Sequence, residues 1–154
     1  MLNSKSLRKA LLKIFDIDEK YLIPLNDGWF VPTSLPEETV GTWIGYRINS
    51  IRPYARAYTS GATFVKPVKI SFRITFIGTD AEELALQTMF WEDRTDVTDV
   101  FEKEYLTQIN YNERQVYSYP VKNKGFNDYL SWVADFTAQT TLNIATKWKP
   151  WIRR

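Results

Sequence analysis

Cysteine and histidine are both absent from this chain of 154 residues. Without cysteine the chain has no disulfide, no thiolate zinc ligand and no thiol nucleophile. Without histidine it lacks the imidazole that serves many metal sites as a ligand and many hydrolases as a general base. These absences exclude most familiar hydrolase chemistry. A carboxylate pair with Mg²⁺ or a Ser–Lys pair remains formally open, but neither has a recognisable spacing here.

Glycine is scarce as well, with six residues scattered along the chain. None of them forms a glycine-rich phosphate loop, and no serine lies in a nucleophile elbow. The acidic clusters at residues 16–19 and 92–96 lack the glycine and ligand spacing of a calcium loop, and they are more typical of solvated helix ends. We therefore expect no catalytic activity, no cofactor and no metal ion.

Long hydrophobic runs are missing too. No stretch approaches the length of a membrane span, and Lys13 and Asp16 interrupt the first apolar segment too early for a signal peptide. The sequence predicts a soluble protein that is made in the cytoplasm. Its length predicts one domain over residues 1–154 with a short basic, aromatic tail at 147–154.

Aromatic residues are abundant, at 16% of the chain, and the charge is unevenly distributed although the net charge is only +2. Residues 41–79 contain no acid, and their basic residues are Arg47, Arg52, Arg56, Lys66, Lys69 and Arg73. Residues 80–104 reverse this, with acids that greatly outnumber Arg94 and Lys103. A basic segment followed by an acidic one indicates either an internal electrostatic fit or charge pairing between copies.

The most regular part of the sequence is a strand followed by a helix. Residues 64–76 alternate between an apolar set (Phe64, Val68, Ile70, Phe72, Ile74, Phe76) and a polar set (Lys69, Ser71, Arg73, Thr75). This period of two predicts a long strand with one buried and one solvent-facing side. Gly78 ends the strand, and Asp80 with Glu83 predicts a capping box. The helix that follows is expected to direct Ala81, Leu84, Ala85, Thr88 and Met89 inward.

The remaining patterns complete the predicted fold. Leu7, Ala10, Leu11, Ile14 and Phe15 predict an amphipathic helix opened by Ser4 or Ser6. Further predictions are a short strand near 29–31, strands at 42–51, 105–111, 115–121 and 130–144, and a short helix near 96–101. Strands 105–111 and 115–121 are interpreted as a hairpin across Asn112-Glu113. The fold class is therefore α+β, with a mostly antiparallel sheet, helices on one face, and the two long strands adjacent.

Three surfaces are candidates for function. A projecting arm is expected to carry Arg52, Tyr54, Arg56 and Tyr58. The tail offers Trp148, Trp151, Arg153 and Arg154, which suit a subunit anchor, a segment folded onto its own sheet, or a nucleic-acid contact. The polar strand face of Lys69, Ser71, Arg73 and Thr75 meets a neighbouring subunit, DNA or only water.

The segments Leu7–Leu12, Val68–Ile77 with Asp80–Ala85, and Tyr129–Ile144 resemble the tail terminator and neck proteins of tailed bacteriophages in element order and local pattern. The resemblance implies a virion protein of the neck whose copies form a ring, typically a hexamer, that terminates the tail tube and joins it to the head connector. Its partners would be further copies of itself, the tail tube protein and the head connector or adaptor. It also implies a lumen that conducts duplex DNA, without catalysis.

Two other functions remain open at this point. One is another virion component on the same scaffold, such as a tail tube, baseplate or head-completion subunit. The other belongs to a different class, a small single-stranded nucleic-acid-binding protein that uses the basic, aromatic tail.

Overall fold

The computed structural model describes residues 2–25, 42–121 and 129–146. In these ranges the chain is an α+β fold with three α-helices and a mixed sheet of six strands, which confirms the predicted class. The helices are α1 (Ser4–Phe15), α2 (Ala81–Gln87) and α3 (Thr95–Asp99). The strands are β1 (Leu22–Pro24), β2 (Trp43–Pro53), β3 (Tyr58–Ser60), β4 (Thr63–Ile77), β5 (Gln108–Val121) and β6 (Tyr129–Ala145).

The sheet has the strand order β1-β2-β4-β6-β5, and β3 pairs with the first residues of β4. The short β1 runs parallel to β2, whereas the other described pairs are antiparallel. The long strands β4 and β6 lie side by side, as the sequence predicts, with Thr63 opposite Ala145 and Ile77 opposite Ser131. The sheet is therefore mixed only at its β1 edge.

The N-terminal helix α1 is capped by Asn3. The sequence-based prediction of Ser4 or Ser6 as the cap is therefore wrong. The side chain of Asn3 accepts a hydrogen bond from the Ser6 backbone N–H at 2.9 Å, and Ser6 Oγ accepts one from the Asn3 backbone N–H at 2.7 Å. This reciprocal capping box satisfies two N–H groups that the helix leaves unpaired. The buried residues of α1 include Leu7, Ala10, Leu11 and Ile14. No helix in the described ranges is long and apolar enough to cross a membrane.

The start of α2 differs from the prediction. Asp80 makes no capping hydrogen bond, because its backbone (φ −100°, ψ 12°) lacks the extended conformation that directs a capping side chain at the helix. After α2 the chain tightens into a 3₁₀ turn over Thr88–Asp93, with about three residues per turn. This tightening changes the buried face: Trp91 is fully buried, while Met89, predicted inward, is 37% exposed.

An aromatic cluster packs one face of the sheet against the helices. Trp91 stacks on Phe136 of β6 with ring centroids 5.1 Å apart, and Phe136 stacks on Phe72 of β4 at 5.2 Å. Phe101 reaches Phe72 from the turn after α3, and Phe15 of α1 meets Trp91 at 5.9 Å. Part of the aromatic excess in the sequence is therefore core.

The predicted hairpin across Asn112-Glu113 is wrong. Residues 108–121 form one strand, β5, which runs along β6 without turning back. The register shifts between Asn110, opposite Thr137, and Gln115, opposite Asp135, so four residues of β5 face the single residue Phe136. The turn-prone pair Asn112-Glu113 lies within a wide bulge of β5, because β6 supplies hydrogen-bonding partners on both sides of the bulge.

Candidate functional site

The four polar residues predicted on β4 share the face of the sheet that is opposite the helices, here called the open face. Ile70, Phe72 and Ile74, which alternate with them, are buried on the helix side. Register places β6 residues beside the four on the same open face. The pairs are Lys69 with Gln139, Ser71 with Thr137, Arg73 with Asp135, and Thr75 with Val133.

Arg73 is neutralised within the chain. Its Nε donates to Asp135 Oδ1 at 2.8 Å and its Nη2 to Oδ2 at 3.3 Å, while the Tyr117 hydroxyl donates to Asp135 Oδ2 at 2.9 Å. The hydrogen bond from Arg73 to Asp135 raises the pKa of the Arg73 guanidinium, and partial burial raises the pKa of Tyr117. The open face is therefore less basic than the sequence indicates.

Replacing Arg73 by leucine should lower the free energy of unfolding by about 1 kcal/mol, since Asp135 loses both guanidinium bonds and keeps only Tyr117. The expected effect is small because the Arg73 side chain is 41% exposed, so solvent screens the pair. Arg47→Leu is the matched control. Arg47 lies directly opposite Arg73 on β2 and is exposed, so its removal relieves like-charge repulsion and should change stability by under about 0.5 kcal/mol. Urea unfolding of both variants measures the difference, and equal effects would contradict a specific Arg73–Asp135 pair.

The expectation of a solvent-facing side chain is wrong for Thr75, which is only 7% exposed. Thr75 lies opposite Gly45 of β2, and the Leu25 side chain occupies the space above Gly45. Ile77 and Val133 on this end of the open face are also buried. On β4, the polar, accessible part of the face is therefore limited to Lys69, Ser71 and Arg73.

Gly45→Ala should destabilise the fold by about 1–3 kcal/mol, the usual cost of overpacking. An added Cβ would lie 2.7 Å from Leu25 Cγ and 2.8 Å from each Leu25 Cδ, so Leu25 must move. The double variant Gly45→Ala/Leu25→Ala removes that clash. Its loss should be smaller than the sum of the single losses in a double-mutant cycle of denaturant unfolding. Strict additivity would show that Leu25 does not sit over Gly45.

Beyond the helices the sheet continues as an arm, defined as residues 51–66 together with 142–145. The residues of this arm that the sequence analysis selected, Arg52, Tyr54, Arg56 and Tyr58, are all exposed. Tyr54 is fixed at the base of the arm, because its backbone N–H donates to the Pro67 carbonyl at 2.9 Å and Lys69 Nζ lies 5.7 Å from its ring centroid. Arg52 and Tyr58 thus lie on strands of the sheet, whereas Tyr54 and Arg56 lie in the segment that connects β2 to β3.

The arm exposes large apolar side chains on both of its faces. Their exposed fractions are Ile51 46%, Tyr54 55%, Tyr58 56%, Phe64 42% and Ile144 49%. Phe64 was expected in the core, but β4 outruns the helix layer at this end, so nothing in the described chain covers it. Several exposed large apolar side chains on one projecting element mark an interaction site more often than an isolated exposed residue does.

Negative charge, opposite in sign to the cations of the arm, lies on the outer side of α2 and of the 3₁₀ turn that follows it. We call this surface the acidic helical side; it comprises Glu82, Glu83, Leu86, Met89, Phe90 and Asp93, all exposed. The acids were predicted from the sequence, whereas the apolar centre formed by Leu86, Met89 and Phe90 was not. The signal was present, since Ala81, Ala85 and Thr88 on the inward stripe require Leu86 to point outward.

A second arginine holds the bulge of β5 against the helical layer. Arg114 Nη2 donates to Glu92 Oε1 at 2.7 Å, its guanidinium lies 5.6 Å from the Tyr111 ring centroid, and its side chain is 11% exposed. Burial, reinforced by the nearby carboxylates of Glu102 and Glu92, raises the pKa of Tyr111 to about 12. This cluster anchors the bulge and was not anticipated from the sequence, because its partners come from distant elements.

The tail residues Trp148, Trp151, Arg153 and Arg154 lie outside the described residues, as does the short strand predicted near residues 29–31. Their proposed roles therefore stay predictions. Neither the protein-family models nor the curated proteins compared with this chain match it. The candidate function consequently rests on the geometry of the arm, the open face and the acidic helical side.

Proposed function

We propose that this protein is a structural subunit that assembles with copies of itself into a ring, in the manner of the tail terminator and neck proteins of tailed bacteriophages. The observation that carries the proposal is the arm, in which five large apolar side chains, four of them on strands, are 42–56% exposed. Burying such a surface against another copy is strongly favourable. The proposed mechanism is assembly and requires no catalytic residue, cofactor or metal.

The element order supports this class of protein. An amphipathic helix precedes the sheet, antiparallel pairing dominates, and the helices pack against one face through the aromatic cluster, as expected for tail terminators. In the proposed role the ring ends growth of the tail tube by presenting the head connector with a face different from the one bound to the tube. Contacts between unlike surfaces of successive copies close into a ring when their rotation returns to the start.

The open face is assigned to the lumen or to the neighbouring subunit. Its accessible cations are Lys69 and the already paired Arg73 on β4, with Arg52 and Arg47 opposite them on β2, so contact with duplex DNA in a lumen would be electrostatic and independent of sequence. Binding of labelled duplex DNA at rising salt distinguishes the two assignments. A lumen face should give weak binding that disappears with salt, and a face covered by a neighbour should give none.

Native mass spectrometry of the purified chain tests the proposed function. A closed assembly of about six copies, without a ladder of larger species, is the expected result. A chain that stays monomeric at all concentrations tested would overturn the proposal. Mixing the ring with tail tubes then separates a terminator, which should bind one tube end, from another virion subunit on the same scaffold.

The arm also favours a second function, binding of single-stranded nucleic acid. Tyr54 and Tyr58 are more than half exposed, and Arg52 and Arg56 alternate with them, which is the combination of stacking and phosphate-neutralising groups used by single-strand binders. A monomer that shifts labelled oligonucleotides, and loses this activity when both tyrosines are replaced by serine, would support this function and contradict the ring.

A further inference from the structure

We propose that the arm of one copy docks onto the acidic helical side of the next copy. This inference rests on the proposed function, because it identifies the two surfaces through which copies of the chain would join. The partner that occupies each surface is a second copy of the chain. Four observations favour this partner: charge, apolar content, geometry and the shape of the sheet edges.

The charges of the two surfaces are complementary. Arg52, Arg56 and Lys66 on the arm form no ion pair within the described residues, and no acid lies between residues 41 and 79. Glu82, Glu83 and Asp93 likewise form none within that part of the chain. Several other acids of the helical layer are already paired, as in Arg94–Asp96, Lys103–Asp99 and Arg114–Glu92. Three cations and three carboxylates thus remain available for a partner.

The apolar parts of the two surfaces also match. Leu86, Met89 and Phe90, exposed by 46%, 37% and 62%, form the centre of the acidic helical side, and the acids flank them. The arm offers exposed aromatic side chains at its base (Tyr54) and on its two faces (Tyr58 and Phe64). An apolar, aromatic centre surrounded by charges is the usual composition of a protein interface.

Geometry prevents the two surfaces from meeting within one chain. The arm extends from the Thr63 end of β4, whereas α2 starts just after the Ile77 end. A strand of 15 residues spans about 45 Å, so the tip of the arm and the start of α2 lie at opposite ends of the molecule. A contact between them joins unlike surfaces of two copies, which is the heterologous contact that a ring requires.

The edges of the sheet are poorly suited to join copies instead. β2 has a register shift between Ile48 and Ser50 and ends at Pro53, which has no N–H to donate. β5, at the other edge, carries the wide bulge between Asn110 and Gln115. Bulges and proline at edge strands discourage strand-to-strand pairing between chains, which leaves side-chain docking as the better route.

A charge-exchange experiment tests the contact. The arm variant carries Arg52→Glu, Arg56→Glu and Lys66→Glu, and the helix variant carries Glu82→Lys, Glu83→Lys and Asp93→Lys. Each variant alone should assemble at least about tenfold less readily than the native chain, because like charges then meet at every junction. An equimolar mixture should assemble again, since every junction in an alternating, even-numbered ring pairs opposite charges. Lys5→Glu/Lys9→Glu on the exposed side of α1 is the control and should assemble normally.

The outcomes separate this inference from the proposed function. If the native chain forms rings and either variant still does so, or if the mixture stays unassembled, the docking contact is wrong while the ring stands. If the native chain is monomeric, both fail. Circular dichroism of each variant verifies that the fold is retained.

Disulfide trapping tests the same contact without altering its charges. Because the chain has no native cysteine, the introduced cysteines can form disulfides only with each other. Tyr58→Cys and Phe90→Cys chains, mixed under oxidising conditions, should yield the Tyr58–Phe90 heterodimer in preference to either homodimer. In the control, Asn112→Cys on the β5 bulge replaces Phe90→Cys and should give little product. A predominant Tyr58–Tyr58 product would indicate a reciprocal contact between two arms and would overturn the inference.

Discussion

Replacing Trp91 by alanine should lower the free energy of unfolding by about 4 kcal/mol, a large part of the stability of a domain of this size. Trp91 is fully buried and lies within 5.9 Å, between ring centroids, of Phe15, Phe101 and Phe136. It therefore links α1, the helical layer and β6. Truncation leaves a cavity that these three rings, held by separate elements, cannot fill by collapse.

The neighbouring Phe90 provides the matched control. It is 62% exposed, so Phe90→Ala should change stability by less than about 0.5 kcal/mol while it weakens assembly. Thermal and urea unfolding of the two variants at a concentration below assembly measure the contrast. Similar losses for both would mean that the 3₁₀ turn does not direct Trp91 inward as described.

The second large effect concerns assembly. The triple variant Tyr54→Ser/Tyr58→Ser/Phe64→Ser should fold but require at least about a hundredfold higher concentration to assemble, since aromatic anchors supply most of the energy of an interface. The three side chains are 42–56% exposed, so their removal costs the isolated chain little. Light scattering over a concentration series measures the concentration at which half of the chain is assembled.

Thr59→Ala/Ser60→Ala is the control for the arm variant, because it alters polar, exposed positions of the same strand and turn. It should assemble like the native chain. If the triple variant assembles equally well, the arm is not a contact surface, and the observation that carries the proposed function is lost.

The elements with long, uninterrupted periodicity could be predicted from the sequence. α1, β4 and β6 follow from spacings of apolar residues, because one face of each packs against the core over most of its length. The failures occur where the period changes or the core ends. The burial predicted for Met89 is wrong because α2 tightens into a 3₁₀ turn. The burial predicted for Phe64 is wrong because β4 continues past the helices.

The register of the strand pairs could not be predicted from the sequence. The β5 bulge depends on how β6 aligns with both halves of β5, and the Arg73–Asp135 ion pair depends on the β4–β6 register. Neither leaves a local signal. At the candidate site, the exposure of Arg52, Tyr54, Arg56 and Tyr58 agrees with the sequence. The apolar centre of the acidic helical side was not predicted, because Leu86 and Phe90 lie outside the buried stripe among exposed acids.

Electron microscopy of the purified native chain tests the ring most directly. Class averages viewed along the axis should show a closed ring with a central lumen and rotational symmetry of about six. Its mass should be about 109 kDa, six times the 18.1 kDa chain. Isolated monomers, or open filaments that never close, would contradict the account.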